Sequence, residues 1–403
     1  MTRIVADPRR VLLVLLVAGL AASITLSQTM LFVLALWLLR ERHRGRLELA
    51  WPLGVPIMAF AGWSLLAASL SDAPADSLRA SHTLIGLGTL WVVLHAIDDA
   101  GRARWFATAL FVALAMVAAA SIVQVSTCGG ERLTAKAAGL PRILSSFFGK
   151  CHRAHGFYSI YMTLGGVLAM VLALTLPRLA HLRHRGAGAA AWLVSALGFA
   201  LTLVRGAWVG FGVAVAVLAC TLRRQIATFI GVLLVAAAAL AIPGVLARAL
   251  SFVDATDPTA CERVAMMSAG ATLLREHPLA GIGPGQVKRV YPQYAPSYAV
   301  RRHTSHLHNT PLQIAVERGI IGLGLWLWIF AAFFARVVKT WKQLPVDAGQ
   351  DRALVAGCAA AIVAFIVGGL FEYNFGDTEV LLVAMSLMAL PLAIERERTR
   401  SAA

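Results

Sequence analysis

The sequence predicts an all-α polytopic membrane protein with about 12 transmembrane helices, both termini cytoplasmic, and a large outer loop between helices 9 and 10. Three observations carry that reading. Hydrophobic residues make up 59% of the 403 positions and charged residues only 14%, against roughly 45–50% and about 25% in soluble globular chains. The apolar residues fall into runs of near-spanning length, giving a mean hydropathy of +0.74. The basic residues sit between those runs. A soluble enzyme, a disordered chain and a coiled coil are all excluded by this composition. The net charge of +16 does not point to nucleic acid, because the basic positions are scattered rather than gathered on one stretch. Lipid headgroups, the positive-inside bias and an anionic substrate account for it better.

The runs are, in order, 11–25, 27–39, 51–70, 80–97, 105–125, 157–176, 189–204, 207–221, 226–247, 319–337, 353–371 and 380–394. A span needs roughly 20 apolar residues. With the N-terminus inside, short cytoplasmic segments hold Arg3, Arg9 and Arg10, then Arg40 to Arg46, Arg102 and Arg104, Arg178 to Arg185, Arg223 and Arg224, Arg336 to Arg352, and Arg396 to Arg400. Those segments carry more than half of the 36 basic residues. The short opposite loops around Asp72–Asp76 and Glu372–Glu379 are net acidic, as the positive-inside rule expects. The whole chain, 1–403, reads as one integral membrane domain with two long outer loops, 126–156 and 248–318. Loops of that length escape the charge rule and are more often functional than idle.

The first long loop holds Cys128 and Cys151, a disulfide candidate if that side is oxidising. Two free thiols are the plain alternative.

In the second loop, Asp257-Pro258 reads as an N-cap followed by proline at the first helical position, opening a helix that His277-Pro278 closes. Val264, Met267, Ala271 and Leu274 form its apolar stripe, which the pattern places against the membrane surface or the bundle. Arg263 borders that stripe. The following GIGPG reads as a tight turn. It lacks the Gly-Lys-Ser/Thr ending of a phosphate-binding loop.

Thr310, Pro311 and Gln313 read as a capping box at the start of the tenth span, with Glu317 about two turns inside. His308 and Asn309 immediately precede this helix. Its positive end disfavours imidazolium at His308, leaving it able to accept a proton. The same end attracts an anion, with Arg301 and Arg302 close by. His303, His306 and His308 lack helical ligand spacing and have no Cys or carboxylate close in sequence, so no metal site is assigned.

Arg205 lies in ALTLVRGAWVGFGVAV, between two apolar runs with almost no loop. A guanidinium at that depth is costly unless it is paired, lines a polar cavity, or snorkels to the headgroups. Gly206 and Gly210 beside it permit close helix contact. The planar fork of arginine suits a phosphate.

Three motifs together resemble the bacterial O-antigen ligase family, within the O-antigen ligase/polymerase superfamily. They are Arg205-Gly-Ala-Trp-Val-Gly at a span junction, Arg263 followed by HPLAGIGPG, and His308-Asn309 leading into Leu312, Glu317 and Gly319. The resemblance is strongest over about 195–330. It makes the outer side periplasmic and the location the bacterial inner membrane. It maps two arginines and a histidine of the family onto Arg205, Arg263 and His308. More loosely, it pairs the acidic segment FEYNFGDTE, with Glu372 and Asp377, to a late outer loop.

The implied reaction transfers a polysaccharide from undecaprenyl diphosphate to a sugar hydroxyl of the lipid A core oligosaccharide, inverting the anomeric centre. The leaving group is already activated, so neither ATP nor another cofactor is needed. Arginines take the place of a metal at the diphosphate. Arg205 and Arg263 would hold the diphosphate, and His308 would take the acceptor proton. Arg142, Lys150 and Arg153 of the first loop would meet acidic core or lipid A phosphates. An O-antigen polymerase or a protein O-oligosaccharyltransferase shares the motifs with another acceptor. A transporter with Arg205 in its path is the reading from another class. The lack of a convincing internal repeat and the clustering of these residues at one face speak against it.

Overall fold

The computed structural model of the protein describes residues 8–127, 152–221, 226–251 and 257–402. Every regular element among them is helical. The first helices are α1 (Pro8–Ala22), α2 (Ile24–His43), α3 (Gly54–Ser69) and α4 (Pro74–Ala80). A 3-10 segment, Ser81–Gly88, leads into α5 (Thr89–Ala96). Next come α6 (Ala100–Ser126), α7 (Tyr161–Thr175), a 3-10 turn at Leu176–His181, α8 (Arg185–Leu201), α9 (Arg205–Thr221), α10 (Ile226–Ala239) and α11 (Pro243–Leu250). The chain finishes with α12 (Pro258–Glu276), α13 (Val287–Tyr294), α14 (Thr310–Gln343), α15 (Gly349–Gly368) and α16 (Thr378–Ala402).

Among the described residues, six helices are long and apolar enough to cross a membrane, or seven if the bent pair α10–α11 counts as one. The chain is a polytopic helical membrane protein. Three shorter apolar helices, α3, α8 and α9, correspond to further runs. At 1.5 Å per residue, their 16 or 17 residues reach about 24–26 Å, a little less than the hydrocarbon thickness of about 30 Å.

The run 80–97 is not one α-helix. Its first half is 3-10, where glycine gives way to a neighbour: the side chain of Leu381 packs against Gly86. Because a 3-10 helix rises about 2.0 Å per residue, the pair still covers about 28 Å.

The run 226–247 is broken. The helices on either side of residues 240–242 meet at 100°. Pro243 explains this, since the residue before a proline is pushed out of the helical region. Ile242 is extended at φ −82, ψ 117. The tenth span is also interrupted, because Gly319 has φ 68 and ψ −177 inside α14. The two-turn piece Thr310–Arg318 is therefore separate from the span that follows, and Glu317 lies in that piece rather than within the span.

The core lies around α7, α15 and α16. Residues Val380–Ile394 of α16 and Leu164–Leu174 of α7 are buried almost without a break, as expected for helices surrounded on all sides. Helix α9 joins this centre as the glycine pattern anticipated. A Cβ on Gly210 would stand 2.6 Å from the carbonyl oxygen of Ala364 in α15, and one on Gly206 would stand 2.4 Å from Cβ of Phe371. This close approach brings the start of α9 beside the α15–α16 connection, where the candidate site is built.

Candidate active site

Arg205 is the first residue of α9, placed there by a left-handed residue, Leu203 (φ 56), that ends α8. The residue is only 8% exposed. It does not snorkel. One guanidinium nitrogen donates to the backbone carbonyl and hydroxyl of Ser251, at 2.7 and 2.8 Å. The other meets Oδ1 of Asp257 at 3.1 Å. That pairing answers the cost of burying a guanidinium.

Asp257 caps α12 as the sequence predicts, accepting from the N–H of Ala260 at 2.9 Å, with Pro258 next. Its Oδ2 also receives Arg248 from α11 at 3.4 Å. Burial would raise the Asp257 pKa, but the Ala260 N–H and the two guanidiniums outweigh it and hold the carboxyl below its usual value.

Arg205, Arg263 and His308 line one cavity of about 350 Å³, together with Arg153, Arg248 and Arg301. Arg263 is half-buried. Its Nε has no hydrogen-bond partner among the described residues. Burial lowers its pKa, and Glu372 pulls it back up. Arg153 lies 4.4 Å over the ring of Tyr161, a cation–π contact that holds the guanidinium at the cavity wall. Its segment is anchored by Gln124, whose Oε1 accepts from the N–H groups of His155 and Gly156, each at 3.2 Å.

His308 has a left-handed backbone at φ 48, an uncommon state for a non-glycine residue that costs of order 1–3 kcal/mol. The acidic α15–α16 connection holds it there. The N–H of Thr310 donates to the Gly369 carbonyl at 2.6 Å, and its hydroxyl donates to the Glu372 carbonyl at 2.8 Å. The Asn309 side-chain amide donates to the Leu370 carbonyl at 3.0 Å. These bonds satisfy the free N-terminal groups of α14 and deliver Glu372 to the histidine. Its Oε1 lies 2.8 Å from Nδ1 of His308. Burial works to raise the Glu372 pKa, but His308, His306 and the Tyr373 N–H prevail and hold it below its usual value. His306 stacks edge-on to His308 at 4.2 Å between centroids, and burial lowers its pKa.

Several sequence expectations change here. The cap of α14 is Asn309, whose Oδ1 accepts from the N–H of Leu312 at 2.9 Å, not Thr310. Gln313 makes no capping box. Its side chain ties the Leu307 N–H to Glu317. Glu317 is 2% exposed and structural. It accepts from the N–H of Gly285 at 2.8 Å and pairs with Arg318, pinning the GIGPG turn against the Gly319 break. Asp377 caps α16 at Val380 and accepts from Thr163. Burial, with Glu379 nearby, pushes its pKa up to about 7. Arg302 turns toward the Ala295 carbonyl and does not line the cavity, whereas Arg301 does.

On α12 the buried face is Ala265, Met266, Ala269 and Leu273, while Val264 and Met267 are exposed. The buried face is therefore one position off the predicted stripe, and it packs against Leu307 and Val316. The metal reading of the histidines left out a carboxylate 64 residues away: His306, His308 and Glu372 group together, without His303. Cys128, Cys151, Arg142 and Lys150 lie outside the described residues.

Sequence reasoning did not single out Arg248, and it assigned Asp257 only to a cap. An N-cap aspartate at the edge of an arginine-bearing loop was the available signal.

Residues 189–327 match the family model described as O-Antigen ligase. The chain carries a domain of the O-antigen ligase/polymerase superfamily. The matched segment contains Arg205, Arg248, Asp257, Arg263, Arg301 and His308, while Arg153 and Glu372 are added from outside it. Members of the family are glycosyltransferase-like enzymes. No curated protein matches the chain.

Proposed function

We propose that the chain is an O-antigen ligase of the bacterial inner membrane. It moves a polysaccharide from undecaprenyl diphosphate to a sugar hydroxyl of the lipid A core oligosaccharide, with the cavity on the periplasmic side. The observation that carries this reading is the cavity itself, where Arg205, Arg263 and His308 converge from three separate segments. Twelve spans with both termini cytoplasmic fit the same orientation.

In this mechanism Arg205 and Arg263 hold the diphosphate and neutralise the charge that grows as the glycosidic bond breaks. Asp257 and Ser251 fix the direction of Arg205, so little reorganisation accompanies the reaction. Glu372 engages Nδ1 of His308, which leaves Nε2 to take the acceptor proton as the hydroxyl attacks. Displacement opposite the diphosphate inverts the anomeric carbon. Membrane lipids surround the bundle and the polyprenyl chain.

The test is the lipopolysaccharide profile of a deletion strain complemented with the wild type or with Arg205→Ala, Arg263→Ala or His308→Ala. The ligase reading expects long polymer missing from lipid A and accumulating on undecaprenyl diphosphate, with no rescue by the three variants. Loss of polymer beyond a single repeat makes the protein a polymerase instead. Transport is excluded if purified protein in detergent transfers polymer with no gradient.

A further inference from the structure

We propose that His306, His308 and Glu372 form a binding site for a borderline divalent transition metal such as Zn²⁺, and that its occupancy switches transfer off. The binding half stands on geometry alone, while the inhibition half rests on the assignment of His308 as the proton acceptor.

Three potential ligand atoms, one from each side chain, lie within 4.8 Å of one another. Nδ1 of His308 is 2.8 Å from Oε1 of Glu372, and Nδ1 of His306 is 3.8 Å from the same oxygen. Ligands at about 2.0–2.1 Å in a tetrahedron stand about 3.3 Å apart. Both spacings are therefore within about half an ångström of what a tetrahedral ion needs. Two of the polar atoms are buried and have no hydrogen-bond partner among the described residues: Nδ1 of His306 and Oε2 of Glu372. Buried polar groups are nearly always partnered, so an unpartnered atom on each of two neighbouring ligand side chains is what a missing cation would leave. Two imidazoles and one carboxylate favour Zn²⁺ and its neighbours over Mg²⁺ or Ca²⁺, which prefer all-oxygen sites. Three protein ligands leave a fourth position for water.

The consequence for His308 is a tautomer change. With Nδ1 donating to Glu372, the neutral ring carries its proton on Nδ1 and its lone pair on Nε2. A metal binding at Nδ1 needs the lone pair of that nitrogen, so the single ring proton leaves Nδ1 and is carried on Nε2 instead. The ring stays neutral, but its outward nitrogen now donates and no longer accepts. Glu372 is drawn to the metal as well. The acceptor hydroxyl then has no base.

The test uses the full-length protein purified in detergent and stripped with EDTA. Calorimetry with ZnCl₂, with MgCl₂ as control, should show one zinc per chain and no magnesium. Co²⁺ in its place should give the intense visible absorption of a tetrahedral site. His306→Ala should weaken zinc binding by about 10–100-fold or more and keep basal transfer, whereas His303→Ala should leave affinity unchanged. Zinc at saturation should inhibit the wild type at least tenfold and spare His306→Ala. Unchanged affinity in His306→Ala, or no zinc bound, overturns the site. His306-dependent binding with full activity in saturating zinc keeps the site but removes the switch, and with it the base role of His308. Stimulation by zinc overturns inhibition and assigns the ion to catalysis.

Discussion

The two ends of the bundle use arginine differently. Where α6 and α15 begin, Arg9 and Arg102 meet Asp98, Arg104 meets Asp351, and Arg336 meets Glu395. About 30 Å away along the 20 residues of α15, five arginines line one cavity. There Arg205 and Arg248 share a single carboxylate, Asp257. Glu262 accepts from the backbone of Arg301, and Glu372 is engaged by His308. At the first end, these four arginines are each paired with a carboxylate of their own chain. The second gathers five arginines around one open cavity, which is what the proposed diphosphate site requires. Net charge alone would not have separated a topology signal from a binding site.

The contrast has graded consequences. Arg205→Ala or Arg263→Ala should cost the most, about 10²–10³-fold in transfer rate or more, read from transfer between purified donor and acceptor. Arg205→Lys should recover only part of the loss, because an ammonium cannot make two parallel bonds. Full activity in the alanine variants would dissolve the distinction between the two ends. Glu372→Gln should come next, lowering kcat by about 10²-fold while leaving KM for the donor nearly unchanged, since it orients a base rather than holding phosphate. A loss confined to KM would move Glu372 to binding. Arg248→Ala should raise KM for the donor by about tenfold, one charge-assisted bond's worth, with kcat retained. At the opposite end, Arg104→Ala with Asp351→Asn should leave transfer intact. The melting temperature should shift by no more than a partly exposed ion pair allows, about 1 kcal/mol or less.

Much of this arrangement was readable in the chain. Apolar runs located most of the helices, and Asp257-Pro258 placed α12 to the residue. Arg205, Arg263 and His308 were found because a charge between apolar runs and a polar cluster before a helix are local signals. Glu372 was visible only as an acidic loop residue; its contact with His308 depends on where the α15–α16 connection docks. Arg248 stayed hidden at the edge of a run that Pro243 folds over, since hydropathy averages across the bend. The cap shifted from Thr310 to Asn309 because both residue types can cap, and only the tertiary pull of Gly369 and Glu372 on Thr310 decides between them.

The left-handed backbone of His308 puts selection for folding and selection for activity in opposition at one position. Asparagine is at ease in that conformation and histidine less so. A population of variants screened only for thermal tolerance should therefore drift toward asparagine at 308 and lose transfer as it does. Differential scanning of His308→Asn should show a melting temperature no lower than that of the wild type; a clear drop would mean that the Glu372 contact outweighs the backbone strain. Such an inert, well-folded protein would be a trap for the donor, able to hold its diphosphate without consuming it.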